Sequence, residues 1–274
     1  MFFQNLHAHS TYDDGKSTLR EMVEASRDAG LSSIGVSMHA PMDYNCTWDV
    51  KREQVSLYLA EMAQLRSEFA GQIEVFTGIE WDVMSGIDLA PFDYALGSVH
   101  HMPVDDPSLC VDHCPDTTRR LITQYYGGDA DAMAEVYFAQ FAQVAAQPKA
   151  KIVGHLDLLT KFDEQEHFFR PDSPRYQQAV LSAMETLVRA DKIFEVNTGA
   201  ISRGYRTTPY PDERWLRALH EMGGKITLSA DAHHASGVVC AYEQAEALAK
   251  KCGFREVYAL VRTNSGTRFE AFDW

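Results

Sequence analysis

Residues 2–18 read FFQNLHAHSTYDDGKST. Two imidazoles, His7 and His9, stand two positions apart at the end of an apolar run. Asp13, Asp14 and Gly15 follow, and a helix is predicted to begin at Ser17. In extended chain, residues two apart point to the same side. His7 and His9 therefore face one direction from a strand end, where two imidazoles can chelate one ion.

The same pattern recurs along the 274 residues. Apolar, β-branched runs close on polar groups: SIGVSMH (33–39), IEVFTGIE (73–80), YALGSVH (94–100), KIVGHLD (151–157), IFEVNTG (193–199) and KITLSAD (225–231). A last run, EVYALV (256–261), ends without such a group. Between the runs, helical spacing of apolar residues predicts helices over 17–30, 51–71, 130–147, 174–191, 212–222 and 242–251. Strands alternating with helices pair in parallel through right-handed crossovers, an α/β architecture. Seven or eight such units favour a closed (β/α) barrel, which has no sheet edge, over an open doubly wound sheet. No Pro/Gly/Ser-rich linker interrupts the chain, so residues 1–274 read as one barrel domain. Its one long insertion, at about 101–130, is rich in Asp, Pro and Cys and is expected to overhang the mouth as a lid.

In such barrels the C-terminal ends of the strands build the site. Those ends carry His7, His9, His39, Glu80, His100, His155, Asn197, Asp231 and His233. A lone histidine at a strand end is ordinarily a hydrogen-bonded structural residue. Six of the chain's 11 histidines at equivalent ends are a different matter. Burying that many imidazoles and carboxylates together costs several kcal/mol unless cations join them. Neutral imidazole and carboxylate are common ligands of zinc, manganese and iron. Asp231 and His233, in SADAHH, repeat the two-residue spacing of His7 and His9 from the last barrel strand.

The net charge of −14 opposes nucleic-acid binding over most of the surface, and no basic patch offsets it. An anionic small-molecule substrate would need local neutralisation by metal ions or placed Arg and Lys. No apolar run approaches the length of a membrane span, and the N-terminal residues do not resemble a signal peptide. The five cysteines form no CxxC pair. Even Cys110 and Cys114, which flank His113, read as loop thiols of a reducing cytoplasm rather than a metal clip.

With these residues assembled, the chain resembles the PHP (polymerase and histidinol phosphatase) superfamily over nearly its whole length. The motifs are NLHAHSTYDDG, VSMHAP, GIEWD, GSVHH, VGHLDLLTKF, VNTGAISRGYRTTPYP and LSADAHH, in that order. The NTGAISRGYRTTPYP stretch is most similar to the stand-alone histidinol-phosphatase branch. The resemblance implies a distorted (β/α)7 barrel with three divalent metal ions. It implies one ion on His7, His9, Glu80 and Asp231, a second on Glu80, His100 and His155, and a third on Asp14, His39 and His233. Where many relatives carry histidine, this chain has DDG. Asp13 and Asp14 are then the alternative ligands, with Asp14 favoured, and an oxygen ligand there favours a harder ion such as manganese.

The implied reaction is hydrolysis of L-histidinol phosphate by a hydroxide bridging two ions, with Asp231, His233 and Glu80 as catalytic groups. Another small phosphate ester or nucleotide is the alternative substrate. Arg203, Lys161 and Arg206, just past strand ends, are candidates for the phosphate. His101, Asp43 and Tyr126 are candidates for the rest of the substrate. His101 and His234 each follow a proposed ligand and are expected to point away from it. No nucleic-acid or membrane partner is expected, and the protein is expected to be a monomer or small homo-oligomer.

Overall fold

The computed structural model describes residues 4–44, 46–106, 109–264 and 266–274. The elements run β1 (Gln4–Asn5), α1 (Leu19–Asp28), β2 (Ser33–His39), α2 (Val55–Glu68), β3 (Glu74–Asp82), β4 (Tyr94–Ser98), α3 (Pro115–Arg120), α4 (Ala130–Ala139) and α5 (Phe141–Ala146). They continue with β5 (Ala150–Val153), α6 (Asp163–Glu166), α7 (Pro174–Arg189), β6 (Ile193–Asn197), α8 (Gly199–Ser202), α9 (Glu213–Glu221), β7 (Lys225–Ser229), α10 (Tyr242–Lys251), β8 (Glu256–Thr263) and β9 (Gly266–Asp273). β1 to β7 form one seven-stranded parallel sheet in sequence order.

Just past β1 and β7 this sheet closes on itself. Ala8 and Ala232 form a parallel bridge. The His9 amide donates to Ala232 O at 2.9 Å, and the Ala232 amide to His7 O at 3.2 Å. The result is the (β/α)7 barrel and not the open sheet.

One aromatic ring packs against the glycines of two barrel strands. Tyr94 enters from β4, and its hydroxyl donates to Leu6 O at 2.6 Å. The ring lies against β2 and β3 where both strands carry glycine. A Cβ on Gly78 would stand 2.3 Å from Tyr94 Cζ, and one on Gly35 2.2 Å from its hydroxyl oxygen. Leu6, Phe76, Leu96 and Ile152 pack with the ring, and Leu260 completes the cluster. A larger apolar shell joins the strands to the surrounding helices.

Three expectations are corrected. Helix α1 starts at Leu19 rather than Ser17, because Thr18 and Glu21 form a reciprocal capping box. The Ser17 hydroxyl instead accepts the Ala235 amide at 3.1 Å. The helix expected over 130–147 breaks at Gln140, whose side chain donates to His101 O at 3.1 Å. The run EVYALV is β8, which pairs antiparallel with β9 and stays out of the barrel. It is tied to the start of β1, where the Leu260 amide donates to Gln4 Oε1 at 2.8 Å. β8 thus lies at the end opposite the mouth, and its last residues have no site to supply.

The stretch at about 101–130 follows β4. Its leading part returns to the mouth, where Cys110 bridges His101 and the Val111 amide donates to His100 O at 2.8 Å.

Packing around Tyr94 generates a test. Gly78→Ala forces the ring out of place and should destabilise the protein by about 1–3 kcal/mol. Gly86→Ala, whose added carbon meets nothing closer than Asp43 Oδ2 at 3.5 Å, should be far milder. Equal melting temperatures for the two variants would refute this packing.

Candidate metal centre

The barrel register decides which side chains meet. β2 and β3 pair His39 with Glu80, while closure lays residues 7–9 beside residues 231–233. His100 and His155 follow β4 and β5. Eight groups from six strand ends thus share one bed, joined by Asp14 from the loop after β1, and Glu80 is its hub. Glu80 Oε2 lies 3.2 Å from His7 Nε2 and 2.9 Å from His39 Nδ1. Glu80 Oε1 lies 3.3 Å from His100 Nε2 and 2.8 Å from His155 Nε2. Asp231 Oδ1 lies 3.3 Å from His9 Nε2 and 3.7 Å from His7 Nε2. Asp14 Oδ1 lies 3.2 Å from His233 Nε2 and 3.7 Å from His39 Nε2.

Four sets of donors are compact enough to hold an ion: His7, His9 and Asp231; His7, Glu80 and His155; His39, Glu80 and His100; and His9, Asp14, His39 and His233. Within each set the ligand atoms lie within 4.8 Å of one another. The fit to metal is tested by what these atoms lack. His7 Nε2, His9 Nε2, His39 Nδ1, Asp14 Oδ1 and Glu80 Oε2 are buried without a hydrogen-bond partner. Unpaired buried polar atoms are costly. Here they converge, and their mixed nitrogen and oxygen chemistry suits zinc, manganese or iron.

Behind the bed stands a row of carboxylates. Asp13 Oδ2 meets His9 Nδ1 at 2.7 Å and accepts the His39 amide at 2.9 Å. Glu195 Oε2 meets His7 Nδ1 at 2.9 Å, and its Oε1 accepts the His155 amide at 2.6 Å. Asp82 Oδ2 meets His100 Nδ1 at 3.3 Å and His101 Nδ1 at 3.2 Å. Such partners fix the tautomer and tilt of a ligating ring. The two aspartates of DDG are thereby separated: Asp13 faces the back of His9, and Asp14 faces the mouth. Gly15 follows because a Cβ there would stand 2.4 Å from Ser10 N.

The electrostatics match this layout. Burial works against a charged His9 ring, but Asp13, Asp231 and Asp14 outweigh it and push the ring up to about 10. Burial likewise opposes charge on His7, and Glu195, Glu80 and Asp231 together raise it well above the usual imidazole range. Burial would raise Glu80, yet His7, His100 and His39 hold it well below the ordinary carboxylate range. The carboxylates thus draw protons onto lone pairs for which a divalent cation competes.

A cavity of about 390 Å³ opens above the bed. Its walls include Trp48, Asp112, His113, Lys161, Arg203 and Tyr205. Arg203 Nη2 donates to Asp231 Oδ2 at 3.0 Å, and its Nη1 lies 2.8 Å from His233 Nδ1. Lys161 Nζ donates to Asp112 O at 2.7 Å and Oδ2 at 3.1 Å.

Other sequence candidates are placed elsewhere. Arg206 lines a separate cavity with Asp157 and Tyr176. Its guanidinium donates to Thr160 Oγ1 at 2.6 Å and lies 4.4 Å over the Tyr210 ring. His101 turns behind the mouth, between Asp82 and the stacked Trp48 ring at 5.4 Å. Asp43 is exposed and paired with Arg52, Tyr126 packs against the outer core, and His234, expected to point away from the ligand before it, caps the turn at Ser236. None of these five lines the mouth. Asn197 stays beneath it, donating to Glu195 Oε1 at 2.9 Å. Cys110 and Cys114 turn to separate partners, Asp112 and Thr117, and all five cysteines are free.

Sequence reasoning missed Glu195, Asp82, Asp112 and Trp48. The first two had a signal: Glu195 stands two before Asn197, and Asp82 two after Glu80, on the same strand faces. Asp112 and Trp48 come from loops and carried no periodic signal.

Comparison with known proteins agrees with this geometry. A PHP domain family model matches residues 5–199. A Deinococcus radiodurans protein named "Probable histidinol-phosphatase" is 30% identical over 232 residues, spanning 79% of this chain and 80% of that one. The "Histidinol-phosphatase" of Bacillus subtilis is 26% identical over 260 residues, spanning 86% of this chain and 96% of its own. A crystal structure of histidinol phosphate phosphatase from Lactococcus lactis, complexed with zinc, L-histidinol and phosphate, superposes with a TM-score of 0.71. It covers 93% of this chain and 95% of its own at 23% identity, a likeness of fold. Barrel, ligand order and matched residues lead to one assignment: the chain belongs to the PHP domain family.

Proposed function

We propose that this protein is a metal-dependent phosphomonoesterase that hydrolyses L-histidinol phosphate to L-histidinol and phosphate. The observation that carries the reading is the convergence of unpaired imidazole and carboxylate atoms beneath a mouth containing Lys161 and Arg203. Relatives named histidinol-phosphatase over most of their length support the substrate. No helix among the described residues is long and apolar enough to cross a membrane, and free cysteines fit a reducing compartment such as the cytoplasm.

On this reading three ions are held. His7, His9, Glu80 and Asp231 would take one, Glu80 with His100 and His155 a second, and Asp14, His39 and His233 a third. Bound divalent ions supply a nucleophilic hydroxide near neutral pH and offset charge on the phosphoryl oxygens. The chain's residues do the rest. Glu80 would serve both the first and the second of these sets. Arg203 and Lys161 orient the phosphoryl group, the guanidinium offering two parallel donors. Asp231 and His233, both lining the cavity, are our candidates to pass a proton to the leaving oxygen. Asp13, Asp82 and Glu195 hold the imidazoles at fixed tilts from behind.

Three outcomes test this. Zinc- or manganese-loaded protein should release phosphate from L-histidinol phosphate faster than from a panel of sugar phosphates and nucleotides. Efficient cleavage of the panel with none of histidinol phosphate would reject the substrate. Removing an outer carboxylate should loosen the metal while leaving the fold intact. Glu195→Gln should weaken zinc binding by about 10–100-fold in competition with a coloured chelator, and unchanged affinity would deny Glu195 its orienting role. Finally, the His9 ring is pushed up to about 10 and the His7 ring is raised in the same direction, so bound zinc must displace ring protons and its affinity must rise with pH. Titrating zinc into chelated protein at pH 7 in dilute buffer should acidify the solution; no acidification would contradict the assignment of these ligands.

A further inference from the structure

Four carboxylates line the mouth: Asp14, Glu80, Asp112 and Asp231. Three belong to the metal-competent sets, and Asp112 does not. It comes from the insertion after β4 and is held from two sides. The Cys110 thiol donates to its Oδ1 at 2.6 Å. Lys161 Nζ donates to its Oδ2 at 3.1 Å and its backbone O at 2.7 Å. Lys161 is steadied in turn by the Tyr205 ring at 4.8 Å.

We infer that Asp112 is a specificity-determining residue, receiving a substrate ammonium group that stands beside the phosphate. The inference rests on the phosphomonoesterase reading above and deepens it. An ammonium group has three donors. Lys161 spends two on Asp112 and keeps one for a phosphoryl oxygen. Each oxygen of Asp112 accepts one bond and retains acceptor capacity for another donor. Cation and carboxylate are thus side by side, and their complement is a molecule with anion and cation a few bonds apart. The matching class is the 2-ammonioalkyl phosphates, whose ammonium sits on the carbon next to the phosphoester carbon. L-histidinol phosphate is one of these. A phosphate ester without the ammonium leaves Asp112 facing a dianion, a repulsion that selects against it.

The test compares ligands that differ only in the amine. 3-Aminopropylphosphonate and propylphosphonate, unreactive mimics of 2-aminoethyl and ethyl phosphate, are titrated into the zinc-loaded protein by calorimetry. The wild type should bind the amino compound about tenfold more tightly or better. Asp112→Asn should bring the two affinities together. Lys161→Gln should weaken both in parallel and keep their ratio, which separates loss of the lysine contact from loss of the carboxylate. Equal binding by the wild type, or a ratio unmoved by Asp112→Asn, overturns the inference alone. Binding of neither phosphonate overturns both it and the phosphate reading. A preserved amine preference without hydrolysis of histidinol phosphate rejects only the proposed substrate.

Discussion

The contact on which the structure turns is the backbone bridge between Ala8 and Ala232. It closes the barrel, and by the same hydrogen bonds it sets the HAH and DAH segments side by side. Residues 7 and 9 on one segment, and 231 and 233 on the other, stand at matching positions around the bridge. Period-two alternation then sends these four side chains toward one mouth. Fold and ligand bed are therefore not separable achievements of the sequence. A slip of one residue in this pairing would turn the imidazoles toward the outer shell and leave the apolar shell facing the mouth.

The bed is organised in two tiers with different tasks. Asp14, Glu80 and Asp231 face the imidazoles from within the mouth, while Asp13, Asp82 and Glu195 face them from behind. Each back-tier acid engages a ring nitrogen, Asp82 two of them, and all three also accept a backbone amide of a neighbouring strand end: His39 for Asp13, His100 for Asp82 and His155 for Glu195. A rear carboxylate thus ties a ring's tilt to the backbone that carries it. This explains why the inner donors can stay crowded without pairing off: the rings are not free to turn away.

Much of this was legible in the sequence because strand ends are legible. Each apolar run announces its own last residue, and in a barrel of this kind last residues converge. The back tier was harder to see because Glu195 and Asp82 sit within or beyond the counted ends, although the same alternation placed them. Arg206 and His101 misled for a physical reason. Proximity in sequence to a ligand fixes the neighbourhood of a backbone, but a side chain on the next residue leaves by the opposite face. Arg206 is taken by Thr160 and Tyr210, and His101 by Asp82 and Trp48. β8 misled because an apolar β-branched run looks the same whether it joins a parallel barrel or a terminal hairpin. Asp112 reaches the mouth only through the path of a long insertion, which no local pattern dictates.

The charge of −14 sharpens what the mouth must do. At physiological ionic strength a charge is felt over roughly 8 Å, so surface acids neither steer nor strongly repel a small dianion once it is inside. What matters is the local balance, and there the mouth's four carboxylates and the three behind it outnumber two permanent cations, Lys161 and Arg203, together with the raised imidazoles of His7, His9 and His100. Both cations are already paired, Arg203 with Asp231 and Lys161 with Asp112. The chain alone therefore offers a phosphate dianion no surplus of positive charge. On the proposed reading, that surplus arrives with the divalent ions, so phosphate affinity and metal occupancy are coupled through the same carboxylates. A mouth built this way attracts its substrate only when it is equipped to cleave it.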